Sequence, residues 1–252
     1  ASQLFALQRL TRQRFHLVKT IMREKAYMMS NIYLKFSSLY IANKEDEPFS
    51  NLFGNTSKSI IADFTPDDIV NMSDEDMINF IMEKGKSRFS NPQENVKLLK
   101  KIARDSYRLD KVAYDPINVA ISSSFNTINA LEDNLKVIDK AIEKNVKGLC
   151  DNEFTILKSI PGIGDVYAAG IISEIGSIDF FKDNNALAKY AGLTWRKTQS
   201  GYFEAETTRM TKTGNKYLRY YLIEAVSSVK NHSKEFNDFY TRKYNEVSRG
   251  AH

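Results

Sequence analysis

Residues 157–172 read Leu-Lys-Ser-Ile-Pro-Gly-Ile-Gly-Asp-Val-Tyr-Ala-Ala-Gly-Ile-Ile. The apolar spacing predicts one helix before Pro161-Gly162-Ile163-Gly164 and another after it, with Ala168 small enough for close packing. Glycines at 162 and 164 reach backbone angles closed to other residues, so the hairpin amides are expected to lie bare. Bare amides at the positive end of a helix hold a phosphate. Gly162, Ile163 and Gly164 are therefore candidate phosphate contacts, through the backbone and without base reading.

A second constellation follows. Thr194-Trp195-Arg196-Lys197 and Tyr202-Phe203-Glu204-Ala205-Glu206 flank Thr198-Gln199-Ser200-Gly201, the pattern of a small β-hairpin with Ser200 near its tip. Arg209, Lys212, Lys216 and Arg219 come next, around Thr213-Gly214, and such cations can converge on a phosphate. From the residues alone Ser200 is either a turn serine that caps the hairpin or a nucleophile. As a nucleophile it needs a base and positive charge at the non-bridging phosphate oxygens. Arg196, Lys197, Arg209 and Lys212 can supply the charge, and no nearby histidine can be the base.

The elements that must carry these residues are helical. Asp183 caps a short helix closed by Gly192, and another runs from Asn215 toward Val229. Upstream, residues 3–40 form a long basic amphipathic helix with Leu7, Leu10, Val18, Ile21, Met28, Ile32 and Phe36 on one side. Residues 43–55 read as a loop. The acids between Asp63 and Asp76 resemble a carboxylate metal site, but Thr65-Pro66-Asp67-Asp68 and Ser73-Asp74-Glu75-Asp76 are better accounted for as two helix starts. From Asp115-Pro116 a heptad runs to Gly148, with Ile121, Ile128, Leu135 and Ile142 at a and Ile117, Ser124, Leu131, Ile138 and Asn145 at d. It fits a helix buried in its own domain, or a coiled coil that spaces domains or joins protomers through residues 115–147.

The 252 residues, 42% hydrophobic, suffice for a folded core, and the single cysteine, Cys150, excludes an internal disulfide and a Cys-rich zinc site. His16, His232 and His252 are too scattered to share a ligand set. No metal site is expected in this chain. The net charge of +5 is unevenly placed: residues 1–35 hold seven Lys/Arg against one Glu, and residues 189–219 seven against two. Two basic zones fit a polyanionic partner. Without a membrane-spanning run or signal peptide, the expected location is the cytoplasm. The chain starts without Met and enters helical periodicity at once, so a longer protein is expected.

The hairpin at 160–164 resembles the helix-hairpin-helix family, whose hairpin grips the DNA backbone. Together with Tyr190-Ala191-Gly192-Leu193, Ser200-Gly201 and Thr211-Lys212-Thr213-Gly214-Asn215-Lys216-Tyr217-Leu218-Arg219, it resembles the C-terminal domain of the insertion-sequence transposases often called IS one-ten. The resemblance is specific over residues 153–228. Its members pair a RuvC-like DEDD domain with a serine-bearing domain and are guided by a bridge RNA. The resemblance implies that Ser200 attacks a DNA phosphate and holds the strand covalently. It also implies that the acidic domain, with its Mg²⁺, precedes the basic helix and is absent here, and that the Ser200 base comes from it. DNA, a bridge RNA and further copies of the chain are the implied partners, in a prokaryotic cytoplasm at the nucleoid.

The expected fold is mainly α: a long basic helix (1–40), a helical insert (41–112), a coiled-coil spacer (113–148) and a serine-bearing helix-hairpin-helix domain with a small β-hairpin (149–252). The expected function is DNA binding and serine-dependent strand cleavage in transposition. The alternative is a non-catalytic helix-hairpin-helix scaffold that dimerises through its heptads.

Overall fold

The computed structural model describes residues 2–41, 46–147, 152–195, 199–200, 203–204 and 209–249; Gly148, Cys150, Arg196, Lys197, Gly201 and His252 lie outside them. The fold is mainly α, and the two named strands among the described residues are two residues long each. The first helix, α1 (Ser2–Lys35), supplies residues to both of the compact units into which the chain divides, 19–133 and 1–18 with 134–252.

In the unit 19–133, α1 is followed by α2 (Ser37–Ile41), α3 (Asn55–Asp63), α4 (Pro66–Asn71), α5 (Asp74–Lys84), α6 (Pro92–Asp105) and the first part of α7 (Lys111–Val146). The acids at 67–76 start helices, as their spacing predicts, while Asp63 ends α3. Thr65 Oγ1 accepts the Asp68 amide at 3.2 Å while the Asp68 carboxylate accepts the Thr65 amide at 2.7 Å, and Ser73 Oγ accepts the Asp76 amide at 3.1 Å. Ile60, Ile61, Ile69, Met77, Ile81, Leu99, Ile121 and Ile128 make the buried core. Lys35 is buried with them and donates its Nζ to the Ile61 carbonyl at 2.5 Å. Burial pushes its pKa down to about 8, against the opposing pull of Asp63 and Asp68.

The helix expected to start at Asp115-Pro116 starts at Lys111 instead. Two contacts account for the extra turn. The Asp110 carboxylate accepts the Val112 amide at 3.1 Å, and the hydroxyl oxygen of the buried Tyr114 accepts the Leu109 amide at 3.3 Å. Pro116 then forfeits one helical hydrogen bond inside the helix rather than at its start.

Of the heptad side chains, Ile121, Ile128 and Ile142 have no exposed surface and Ser124 is nearly covered, so these four are core positions of the chain itself. Leu135, at the remaining a position, and Ile117, Leu131, Ile138 and Asn145, at d positions, are half-buried.

In the other unit, α1 and α7 run antiparallel, with Gln3 donating to the Asn145 carbonyl at 3.4 Å and Arg14 paired to Asp139 at 2.7 Å. Leu7, Ile142 and Val146 pack on Phe154 of α8 (Asn152–Ser159) and on Ala168, Ala169 and Ile172 of α9 (Asp165–Ile175). A second cluster joins Ile171 to Ala191 of α10 (Asn184–Ala191) and to Leu218, Tyr221 and Ala225 of α11 (Lys216–His232). The caps expected at Asp183 and Gly192 are present, the latter left-handed at φ 71°. Between α10 and α11 lie β1 (Gln199–Ser200) and β2 (Phe203–Glu204). The unit ends in α12 (Lys234–Arg249), which leaves Phe236, Phe239, Tyr240 and Tyr244 exposed.

Candidate nucleic-acid interface

Residues 157–172 fall in the end of α8, a turn and most of α9, and the two glycines of the turn differ. Gly162 has φ +97°, and a Cβ there would come within 2.9 Å of the Val229 backbone on α11, so this glycine sets the turn and its packing. Gly164, the N-cap of α9, is exposed at an ordinary φ of −90°, with nothing near the position of a Cβ. Ile163 is half-buried against both clusters, and its amide donates to the Ile160 carbonyl at 3.0 Å. The expectation of bare amides is thus corrected at Ile163, whose N–H closes the turn. The exposed surface of the hairpin is at Gly164. Asp165 follows at the start of α9, ion-paired to Lys158, so a carboxylate stands beside the surface proposed for phosphate.

Trp195 pairs with Met210 in an antiparallel bridge, and the Thr211 amide donates to the Thr194 carbonyl at 2.7 Å. These contacts close the base of the arm. Further out Gln199 faces Glu204 and Ser200 faces Phe203. Between the two pairings the outgoing arm advances four residues (195 to 199) and the returning arm six (204 to 210). Ser200 is thus the last paired residue before the two that connect the strands. Arg209, next to the base, is exposed, and so are Lys212 and Lys216. Lys212 is in the left-handed region at φ 53°, uncommon for a residue with a side chain. Lys216 sets its Nζ 5.0 Å from the Tyr217 ring centre.

Arg219, read from the sequence with the phosphate-facing cations, is half-buried, and its Nη1 donates to the carbonyls of Ala191 at 2.9 Å and Lys212 at 3.1 Å. It ties the end of α10 to the turn before α11. Gly192 leaves room for it, since a Cβ there would fall 2.6 Å from that nitrogen. Gly214, at φ 145°, is needed because a Cβ would fall 2.4 Å from the Tyr190 carbonyl oxygen.

A group the sequence reading passed over holds this turn from beneath. Glu174 on α9 is buried and takes a two-pronged ion pair from Arg12, Nε and Nη2 at 2.7 and 2.9 Å. The same carboxylate accepts the Asn215 side-chain amide at 2.8 Å. The hydrogen bond to Glu174 raises the pKa of Arg12 above its usual value. Nothing in the local pattern marks Glu174, because its partners lie 162 and 41 residues away.

The basic helix is also less available than its composition suggests. Of its seven cations, Arg12, Arg14 and Lys25 are half-buried and paired to Glu174, Asp139 and Glu132, and Lys35 is buried on a carbonyl. Arg9, Lys19 and Arg23 are exposed. Among the described residues no group of three His, Cys, Asp or Glu could hold a metal ion, and no helix is long and apolar enough to cross a membrane.

Residues 154–241, which take in most of α8, the turn before α9, the two short strands and the basic turn before α11, match the Transposase IS116/IS110/IS902 family. Over 117 residues the chain is 26% identical to the insertion element IS116 uncharacterized 44.8 kDa protein of Streptomyces clavuligerus, covering 46% of this chain and 29% of that protein. Over 111 residues it is 31% identical to the transposase for insertion sequence element IS1111A of Coxiella burnetii (strain RSA 493 / Nine Mile phase I), covering 44% and 28%. The matched stretch is thus under a third of either relative's length.

Proposed function

We propose that this chain is the DNA-engaging part of an insertion-sequence transposase in which Ser200 supplies the nucleophile. The observation that carries the reading is the family match over residues 154–241, which takes in the hairpin, the β-arm and the basic turn. Ser200 Oγ attacks a backbone phosphorus, forming a serine phosphoester as the ester bond to one deoxyribose oxygen breaks. The serine proton passes to a base outside this chain, and that base returns a proton to the displaced deoxyribose oxygen, which leaves as a hydroxyl. Arg209, Lys212 and Lys216, with Arg196 and Lys197, offset the charge that builds on the non-bridging oxygens. The exposed start of α9 at Gly164 takes a neighbouring backbone phosphate, with Gly162 and Ile163 shaping the turn. Arg219 serves this site by holding the loops.

In this reading Mg²⁺ belongs to an acidic domain upstream, and a bridge RNA selects the DNA. The described residues offer no carboxylate cluster for that ion, and no step above runs through it. The test is denaturing gel analysis of labelled DNA after protease digestion, in the full-length protein with its RNA and Mg²⁺. A peptide adduct mapping to Ser200, absent in Ser200→Ala while DNA binding persists, is the expected result. An adduct that survives in the Ala variant, or maps to Thr198 or Tyr202, identifies another nucleophile. DNA binding without any adduct reduces the chain to a scaffold.

A further inference from the structure

We infer that Glu174 and Asn215 are a pair of positioning residues that hold the exposed Lys212 turn against the hairpin helix α9, so that Lys212 meets a DNA phosphate. The inference rests on the reading of Lys212 as a phosphate contact. Asn215 uses its whole side-chain amide: Oδ1 accepts the Tyr217 and Leu218 amides at 3.0 Å each, while Nδ2 donates to Glu174 at 2.8 Å and to the Tyr190 hydroxyl at 3.2 Å. Only an amide can face two donors on one side and a carboxylate on the other. The Asn215 backbone N–H donates to the Tyr190 carbonyl at 2.7 Å, and Arg219 grips the Lys212 carbonyl.

Lys212 itself stays in a left-handed conformation that an L-residue keeps only where its surroundings impose it, and such residues gather at functional sites. Glu174 is the buried end of this chain of contacts. Its bond to Asn215 ties the turn to α9, and its two-pronged pair with Arg12 fixes the carboxylate in place.

A helix cap alone does not require asparagine, since aspartate caps as well. Asn215→Asp therefore keeps the cap while setting a second carboxylate against Glu174. Exchanging both, Glu174→Gln with Asn215→Asp, restores one carboxylate and one amide across the contact between the two positions.

The experiment measures binding of the 252-residue chain to a duplex of arbitrary sequence across a salt series, with helicity followed by circular dichroism. Lys212→Ala is expected to weaken binding about tenfold and lower the salt slope by about one. Asn215→Asp is expected to give the same loss, to add nothing in the Lys212→Ala background, and to be rescued by the exchange. If Lys212→Ala binds normally, the phosphate reading of Lys212 fails, and the inference with it. If Lys212→Ala weakens binding but Asn215→Asp is neutral, or its loss adds to that of Lys212→Ala, only the positioning role fails. An exchanged pair that folds but binds no better than Asn215→Asp overturns it too. Should Asn215→Asp unfold, the exchange decides by the same criterion, set against Lys212→Ala.

Discussion

The ring of Tyr221 lies on Gly170, so close that a Cβ on that glycine would fall 2.4 Å from the ring carbons, while the Tyr221 hydroxyl reaches across to donate to the Thr11 carbonyl at 2.6 Å. A glycine in the middle of α9 weakens the helix by roughly 1 kcal/mol, a cost offset by the close seat it gives the buried tyrosine. Burial also raises the pKa of that hydroxyl, keeping it a neutral donor.

The glycines of this region are therefore expected to separate under substitution. Gly170→Ala and Gly162→Ala should each destabilise the chain by about 1–3 kcal/mol, the first by overpacking and the second also through its positive φ. Gly164→Ala, in open space at an ordinary φ, should change stability by under about 1 kcal/mol, the poorer capping of alanine set against its lower unfolded-chain entropy. Urea midpoints of the three variants check this, and equal losses at 164 and 170 would contradict it.

The buried lysine gives a pH dependence of definite sign. With the folded pKa near 8 and the unfolded value at 10.5, both states carry the proton at pH 7. Between those values the unfolded state binds more protons, so stability rises with pH, by roughly 3 kcal/mol over the window. Urea denaturation from pH 7.5 to 10 should show the rise, and Lys35→Met should remove that part of it. A profile that falls through this range, or that Lys35→Met leaves unchanged, would refute the assignment.

Because Ile128 is sealed inside one chain, Ile128→Lys is expected to unfold the unit that holds it rather than to release a partner. A lysine buried without an anion costs several kcal/mol. Circular dichroism melting alongside light scattering separates the outcomes: lost helicity supports a core position, and a folded monomer arising from an oligomer supports a coiled-coil seam.

Local signals were legible in the sequence and distant ones were not. Thr65, Ser73, Asp183 and Gly192 mark helix ends because caps act over three or four residues, and the structure uses all four. The heptad at Ile121 and Ile128 specifies an apolar face without saying what covers it. The start of α7 was hidden because Asp115-Pro116 is the stronger pattern, whereas Tyr114 acts through burial. Ser200 stood out by resemblance alone. Glu174, Lys35 and the structural role of Arg219 depend on partners far along the chain, which no local spacing encodes.

That distinction separates the two basic zones experimentally. Arg12→Ala leaves the Glu174 carboxylate buried without its cation and should destabilise the fold by about 3 kcal/mol or more. Arg14→Ala should also destabilise, since its pair with Asp139 ties α1 to α7. Both guanidiniums are already held by carboxylates, so at temperatures where these variants stay folded their salt slope for duplex binding should match that of the unaltered chain. Arg209→Ala should do the reverse: its side chain is exposed, so stability stays within about 0.5 kcal/mol while the salt slope drops by about one. The comparison needs only melting curves and affinities at several salt concentrations. A lowered slope for Arg12→Ala in folded protein would return the N-terminal helix to the DNA surface, and an unchanged slope for Arg209→Ala would remove the β-arm from it.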